Sequence, residues 1–170
     1  MTNYIALLHA VNVGGTGKLP MTELKALCDG LGYGGARTYI ASGNVVFTAE
    51  QPAAEVKAAL EQALGVHMGK PVEVQVRTAD QMQTVFDANP FPGRKGSRTL
   101  TLFLDSPPPA DTAATASGQA GEEIVLGARE VYIYYPDGMG RTKLKLPIIK
   151  AGTARNLNTV AKLAAMAAAL

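Results

Sequence analysis

Residues 12–20 read NVGGTGKLP, three glycines and a lysine between an apolar run and a helix-like segment. This is the composition of a phosphate-binding loop, in which glycine amides cradle oxygens and a lysine neutralises them. The spacing excludes the nucleotide forms. Counting back from Gly17-Lys18, a Walker loop needs glycine at 12 and a hydroxyl residue at 19; Asn12 and Leu19 stand there. The Rossmann pattern begun by Gly15 and Gly17 needs a third glycine where Pro20 stands. A weaker chemistry survives: Gly14, Gly15 and Lys18 are candidates for an anion nest before a helix N-terminus. The competing reading is a tight strand-to-helix turn that needs glycine for its backbone.

A second candidate lies near the other end, in GMGRTKLKLPIIKAGTARNLNT. Arg141, Lys143, Lys145, Lys150 and Arg155 have no acid among them. The periodicity predicts that Arg155 lies near the start of the last helix, where a cation is mildly disfavoured. An anion bound there would reverse that sign, so Arg141, Lys143, Arg155, Asn156 and Asn158 join the anion-binding candidates. Asn156 or Asn158 as helix cap is the alternative.

Other chemistry is thin. Cys28 falls on an apolar helical stripe and reads as a buried thiol rather than a nucleophile. His9 and His67 are isolated, and no clustered ligands suggest a metal site. No Ser-His-Asp pattern or nucleophile elbow occurs. No cofactor is implied.

The elements that must position these residues follow from hydrophobic periodicity. Tyr4 to Val11 reads as a buried strand. Met21, Leu24, Leu27, Cys28 and Leu31 form one stripe of a helix that Gly32 stops. ARTYIA and NVVFTA, split by Ser42-Gly43, read as a hairpin. A helix at about 52–64 and the alternating strand VEVQVR complete a β-α-β-β-α-β order. This predicts an α+β fold with a ferredoxin-like first half, 1–78. The second half, 79–170, reads as a variant of it: a helix closed by Asn89-Pro90, a strand RTLTLFL, a short helix after the triple proline, a hairpin around Gly127-Ala128, a basic loop, and a helix near 155–169. In VYIYY some tyrosines are expected to face outward or meet a partner.

The chain has 170 residues and 47% hydrophobic composition, enough for a substantial core. One cysteine rules out an internal disulfide and fits a reducing compartment. The N-terminus lacks the pattern of a signal peptide, and the apolar stretch Val160 to Leu170 is about half a membrane span. A cytoplasmic protein with no membrane partner is expected. Net charge is +2, yet residues 137–170 hold six Lys/Arg against one Asp/Glu, giving +5. That asymmetry points to an anionic partner.

YIALLHAVNVGG, KLPMTELKALCDGLGYGGARTYIASGNVVF, the NPF at 89–91 and GTARNLNTVAKL at 152–163 resemble the bacterial family called domain of unknown function 1697. The resemblance spans essentially the whole chain. It implies an α+β fold with ferredoxin-like halves and brings no catalytic residue with it. His9-Ala10 stands where the family usually has Arg-Gly, Ala41 replaces a common Gln, Thr142-Lys143 stands for Ser-Lys, and Leu157 replaces a Trp. An anion ligand supplied by that arginine, or base stacking on that Trp, would be lost in this chain.

Three function classes follow. The first is a module binding a phosphate-bearing ligand or nucleic acid, although the aromatic pattern of RNA-binding sheets is missing. The second is a small-molecule enzyme with a site between the halves, with His9, Asn12, Arg37, Asn44 and the C-terminal cations as candidates. The third is a structural or protein-interaction role.

Overall fold

A computed structural model describes residues 1–15 and 17–170. Thr16 of the opening motif lies outside the described residues. The chain packs as two compact units: Met1–Met82 with Leu163–Leu170, and Gln83–Lys162.

In the first unit the elements run β1 (Thr2–Leu8), α1 (Met21–Gly30), β2 (Gly34–Thr38), β3 (Asn44–Ala49), α2 (Ala53–Met68) and β4 (Val74–Thr78). The sheet is antiparallel in the order β2-β3-β1-β4. Alternation sorts its faces. Tyr4, Ala6 and Leu8 of β1, Val45 and Phe47 of β3, and Val74 and Val76 of β4 face a core built with the helices. Leu24 and Cys28 of α1 and Val56, Leu60 and Leu64 of α2 fill it, the i, i+4 positions that a helix presents to one side. Tyr33 stacks on Phe47 with ring centroids 4.7 Å apart. The opposite face, with Ile5, Leu7, Asn44, Gln75 and Arg77, is buried too. Burial pushes the Cys28 thiol up to about 12, which fits an inert core residue.

α3 (Ala79–Asp87) opens on a capping box: the Thr78 amide donates to Gln81 Oε1 at 2.9 Å and the Gln81 amide to Thr78 Oγ1 at 3.1 Å. The second unit then adds β5 (Thr99–Phe103), β6 (Glu123–Leu126), β7 (Glu130–Tyr134) and β8 (Thr153–Asn156), with α4 (Leu157–Ala168) after it. Its antiparallel sheet has the order β6-β7-β5-β8. Leu102, Leu104, Val131, Ile133, Tyr135 and Leu146 form its core. The fold is thus mixed α+β, with two four-stranded antiparallel sheets and four α-helices among the described residues.

Three expectations change here. The helix expected after the triple proline is a four-residue 3-10 turn, Thr112–Thr115. That segment has no large apolar stripe to bury, so a longer helix gains nothing from packing. The basic loop before the last helix contains a strand, β8, so α4 begins at Leu157 rather than 155. The β2–β3 connection runs from 39 to 43, longer than the two-residue turn at Ser42-Gly43. In VYIYY, Tyr132 and Tyr135 are buried and Tyr132 donates to Val85 O at 2.9 Å, while Tyr134 is half-buried with the Arg94 guanidinium carbon 4.5 Å from its ring centroid.

Candidate functional site

The opening motif leaves β1 in a strained path. Among the described residues three non-glycines have positive φ: Ala10 at 50°, Asn12 at 57° and Ile40 at 48°. Ala10 and Asn12 belong to the β1–α1 loop and Ile40 to the β2–β3 loop. Positive φ is tolerated by Asn and costs most for a β-branched residue such as Ile.

Asn12 joins the two loops. Its Nδ2 donates to Leu19 O at 2.8 Å and to Ala41 O at 2.7 Å, and its Oδ1 accepts the Leu19 amide at 2.7 Å. Its own amide donates to Gly17 O at 3.0 Å. Asn44 braces the second loop from inside, donating to Tyr39 O and Ser42 Oγ, each at 2.9 Å. The Leu8 amide donates to Gly43 O at 2.9 Å, tying that loop to the end of β1.

Between these loops and the start of α1 lies an open cleft of ≈ 620 Å³. Gly14, Gly15, Gly17, Lys18, Leu19, Pro20, Met21, Asn12 and Ala41 line it. α1 has Pro20 at its N-cap and no side-chain cap. Glu23 in its first turn faces the dipole and is held by His67 Nε2 at 2.9 Å. A residue that the sequence reading passed over also arrives here. An added Cβ at Gly17, where φ is +103°, would lie 3.4 Å from Lys70 Nζ, so the ammonium rests against the glycine loop. Lys18 and Lys70 are exposed. Among the described residues neither is in an ion pair. No local signal singles out Lys70. It follows Gly69, the left-handed C-cap of α2 at φ 70°, and only the return of α2 to the loop makes it a neighbour.

The C-terminal candidates occupy the second unit. Arg155 lies on β8, paired with Thr101 of β5, and is 9% exposed. Its Nη1 donates to Ala154 O at 2.9 Å, and burial pulls its guanidinium down from the ordinary arginine value to about 10. Asn156 caps α4, its Oδ1 accepting the Thr159 amide at 3.0 Å. Asn158 is exposed beside the 3-10 turn Gly96–Arg98, where any side chain at Gly96 would collide with its Oδ1. Arg141 and Lys143 are exposed. The loop carrying them is pinned by Ser117 and Lys145, whose backbones exchange hydrogen bonds of 2.9 and 2.8 Å. The structure therefore gathers Gly14, Gly15 and Lys18 around one cleft. It gives Arg155 and Asn156 structural duties elsewhere.

Of the enzyme candidates, Asn12 spends its amide on backbone groups, Asn44 spends its own on Tyr39 O and the Ser42 hydroxyl, Arg37 is exposed on β2, and His9 is half-buried. Among the described residues no cluster of His, Cys, Asp and Glu could hold a metal ion. None of the described helices is long and apolar enough to cross a membrane.

Two antiparallel sheets with a glycine-lined cleft at the end of the first strand define a mixed α+β protein without a nucleotide loop of known type. The family described as "Protein of unknown function (DUF1697)" matches residues 1–132, and the chain belongs to it. In fold the chain is similar to the conserved bacterial protein SP0830 from Streptococcus pneumoniae. The TM-score is 0.80 at 24% identity, over 98% of each chain. No curated protein matches it.

Proposed function

We propose that the chain is a binding protein for a small anion, phosphate-bearing by preference, taken up in the cleft at the end of β1. One observation carries the reading: Lys18 and Lys70 converge on the Gly14–Gly17 loop without a carboxylate partner among the described residues. Glycine amides before an uncapped helix supply the hydrogen-bond donors that such an anion needs. The cleft volume, ≈ 620 Å³, lies within the usual range for small-ligand sites. Extended nucleic acid fits less well, because the sheet strands lack the aromatic pattern of RNA-binding sheets.

The same proposal places the first unit in the ferredoxin-like class, supported by its element order and by the strand order β2-β3-β1-β4. The second unit is a variant with the same order, β6-β7-β5-β8, and 3-10 turns where the first has helices. A cytoplasmic location is proposed on the single buried thiol.

The test is a titration with inorganic phosphate and with a short single-stranded oligonucleotide at two salt concentrations. Phosphate is expected to bind and to be lost when Lys18 and Lys70 are both changed to Ala. Oligonucleotide binding with a steep salt slope, unaffected by those changes, would replace this reading with the nucleic-acid one.

A further inference from the structure

We infer that residues 141–150 form a docking strip for an extended acidic segment of a partner protein. These residues belong to the second unit, so the strip does not depend on the cleft at the end of β1. Charge is segregated along the chain: residues 137–170 carry +5, and the rest, with ten Lys/Arg against thirteen Asp/Glu, carries −3. The basic segment is two-sided. Leu144, Leu146, Ile148 and Ile149 pack into the core of the second unit. Arg141, Lys143, Lys145 and Lys150 are exposed. Over 143–146 exposed and inward residues alternate, as on an extended strand with one apolar and one cationic side.

The strip is held in place by its neighbours. The Ser117 and Lys145 backbones bond to each other, and Gly118, at φ +66°, lies so close to the Lys143 carbonyl that any Cβ there would collide with it. The Thr142 hydroxyl donates to Glu122 Oε2 at 2.9 Å and accepts the Leu144 amide at 3.1 Å. Those bonds also occupy the acid that touches the segment. Glu122 is 8% exposed and spends its carboxylate on Thr142 and the Ala120 amide. Asp137 is the only acid in 137–170, and among the described residues none of the four exposed cations is in an ion pair. A surface that serves solubility alone intersperses both signs. A fixed row of one sign repels itself, and a partner of the opposite sign relieves that cost. Spacing and composition select the partner. Carboxylates two residues apart on an extended peptide lie about 6.6–6.8 Å apart, the same step that separates Lys143 from Lys145. Residues 137–170 contain no aromatic side chain on which a base could stack.

The experiment titrates the intact chain with a glutamate octapeptide and with a thymidine oligonucleotide of equal length, at two salt concentrations. The peptide is expected to bind more tightly than the oligonucleotide and to weaken as salt rises. Lys143→Gln combined with Lys145→Gln alters only exposed side chains, so the fold is kept, and peptide affinity should fall at least about fivefold. Lys25→Gln combined with Arg37→Gln removes the same charge from the first unit and should change it less than about twofold. Equal losses in the two double variants would mean attraction to net charge alone and would overturn the strip. Tighter binding of the oligonucleotide, with the same dependence on Lys143 and Lys145, would overturn the acidic partner in favour of nucleic acid. A chain that sediments as a dimer and becomes monomeric in Lys143→Gln with Lys145→Gln would assign the strip to a second copy instead. Binding of neither probe would overturn it outright.

Discussion

Asn12→Ala is expected to be among the most damaging single changes near the cleft. The residue carries two distinct loads. Its side chain makes three hydrogen bonds of 2.7 to 2.8 Å that lock Leu19 and Ala41 into one frame. At about 0.5–1.5 kcal/mol net each, with the Ala41 bond discounted because water can reach it, the side chain is worth about 2 kcal/mol. Its backbone sits at φ 57°, which an alanine adopts at a cost of roughly 1 kcal/mol. Asn12→Ala should therefore destabilise by about 3 kcal/mol. Asn12→Gly loses the bonds but not the backbone fit, so it should cost about 2 kcal/mol. For a chain of this size these correspond to Tm decreases of roughly 6–12 °C and 4–8 °C. Thermal and urea unfolding of both variants, with hydrogen exchange at the Leu19 amide, measure this. Two variants within about 0.5 kcal/mol of the parent would refute the clamp. A glycine variant less stable than the alanine one would refute the strain argument.

Three further outcomes follow from particular groups. Thr101 Oγ1 is buried without a hydrogen-bond partner, so Thr101→Val, close in shape, should stabilise by about 1 kcal/mol in urea titration; a loss of similar size would mean a bonded water or ligand there. Ala10 has φ 50° where the family usually carries glycine, so Ala10→Gly should raise stability by about 1 kcal/mol, read as an increase in Tm; a decrease would contradict the strain. The Ala120 amide first, and the Thr142 hydroxyl at 2.9 Å, hold the Glu122 carboxyl below its usual 4.5 against the opposing effect of burial. A lowered value means its stabilisation is present above about pH 4.5 and is lost as pH falls through that value toward the folded one. Urea midpoints should fall over that window in the parent and fall less in Glu122→Gln.

The first half of the fold was legible because its signals agree. The alternating valines of VEVQVR, the stripe Leu24–Cys28 and the i, i+4 set Val56, Leu60 and Leu64 each face the core of the first unit. The second half was less legible for a physical reason. β8 is Thr153–Asn156, four residues with Arg155 facing a buried surface. A short strand with a buried cation has no hydrophobic period, and only its pairing with β5 makes it a strand. The run of cations read as a loop therefore hides both a strand and the true start of α4. The same error placed Arg155 near a helix start rather than on a strand.

The cleft was legible only as a glycine cluster. Its remaining parts are contacts between distant segments: Asn12 with Ala41, Gly17 with Lys70, Glu23 with His67. Sequence did hold one unread signal. YIAS places an isoleucine in a connection bounded by two strands, where turn chemistry calls for Gly, Asn or Asp. Natural chains satisfy local preference almost everywhere, and the exceptions gather where function outweighs stability. Here Ala10, Asn12 and Ile40 all lie in the two loops that Asn12 fastens together. A turn selected for folding alone would have glycine at 10 and 40. The clamp at Asn12 has a structural explanation in its hydrogen bonds to Leu19 and Ala41, which hold both strained loops in one frame.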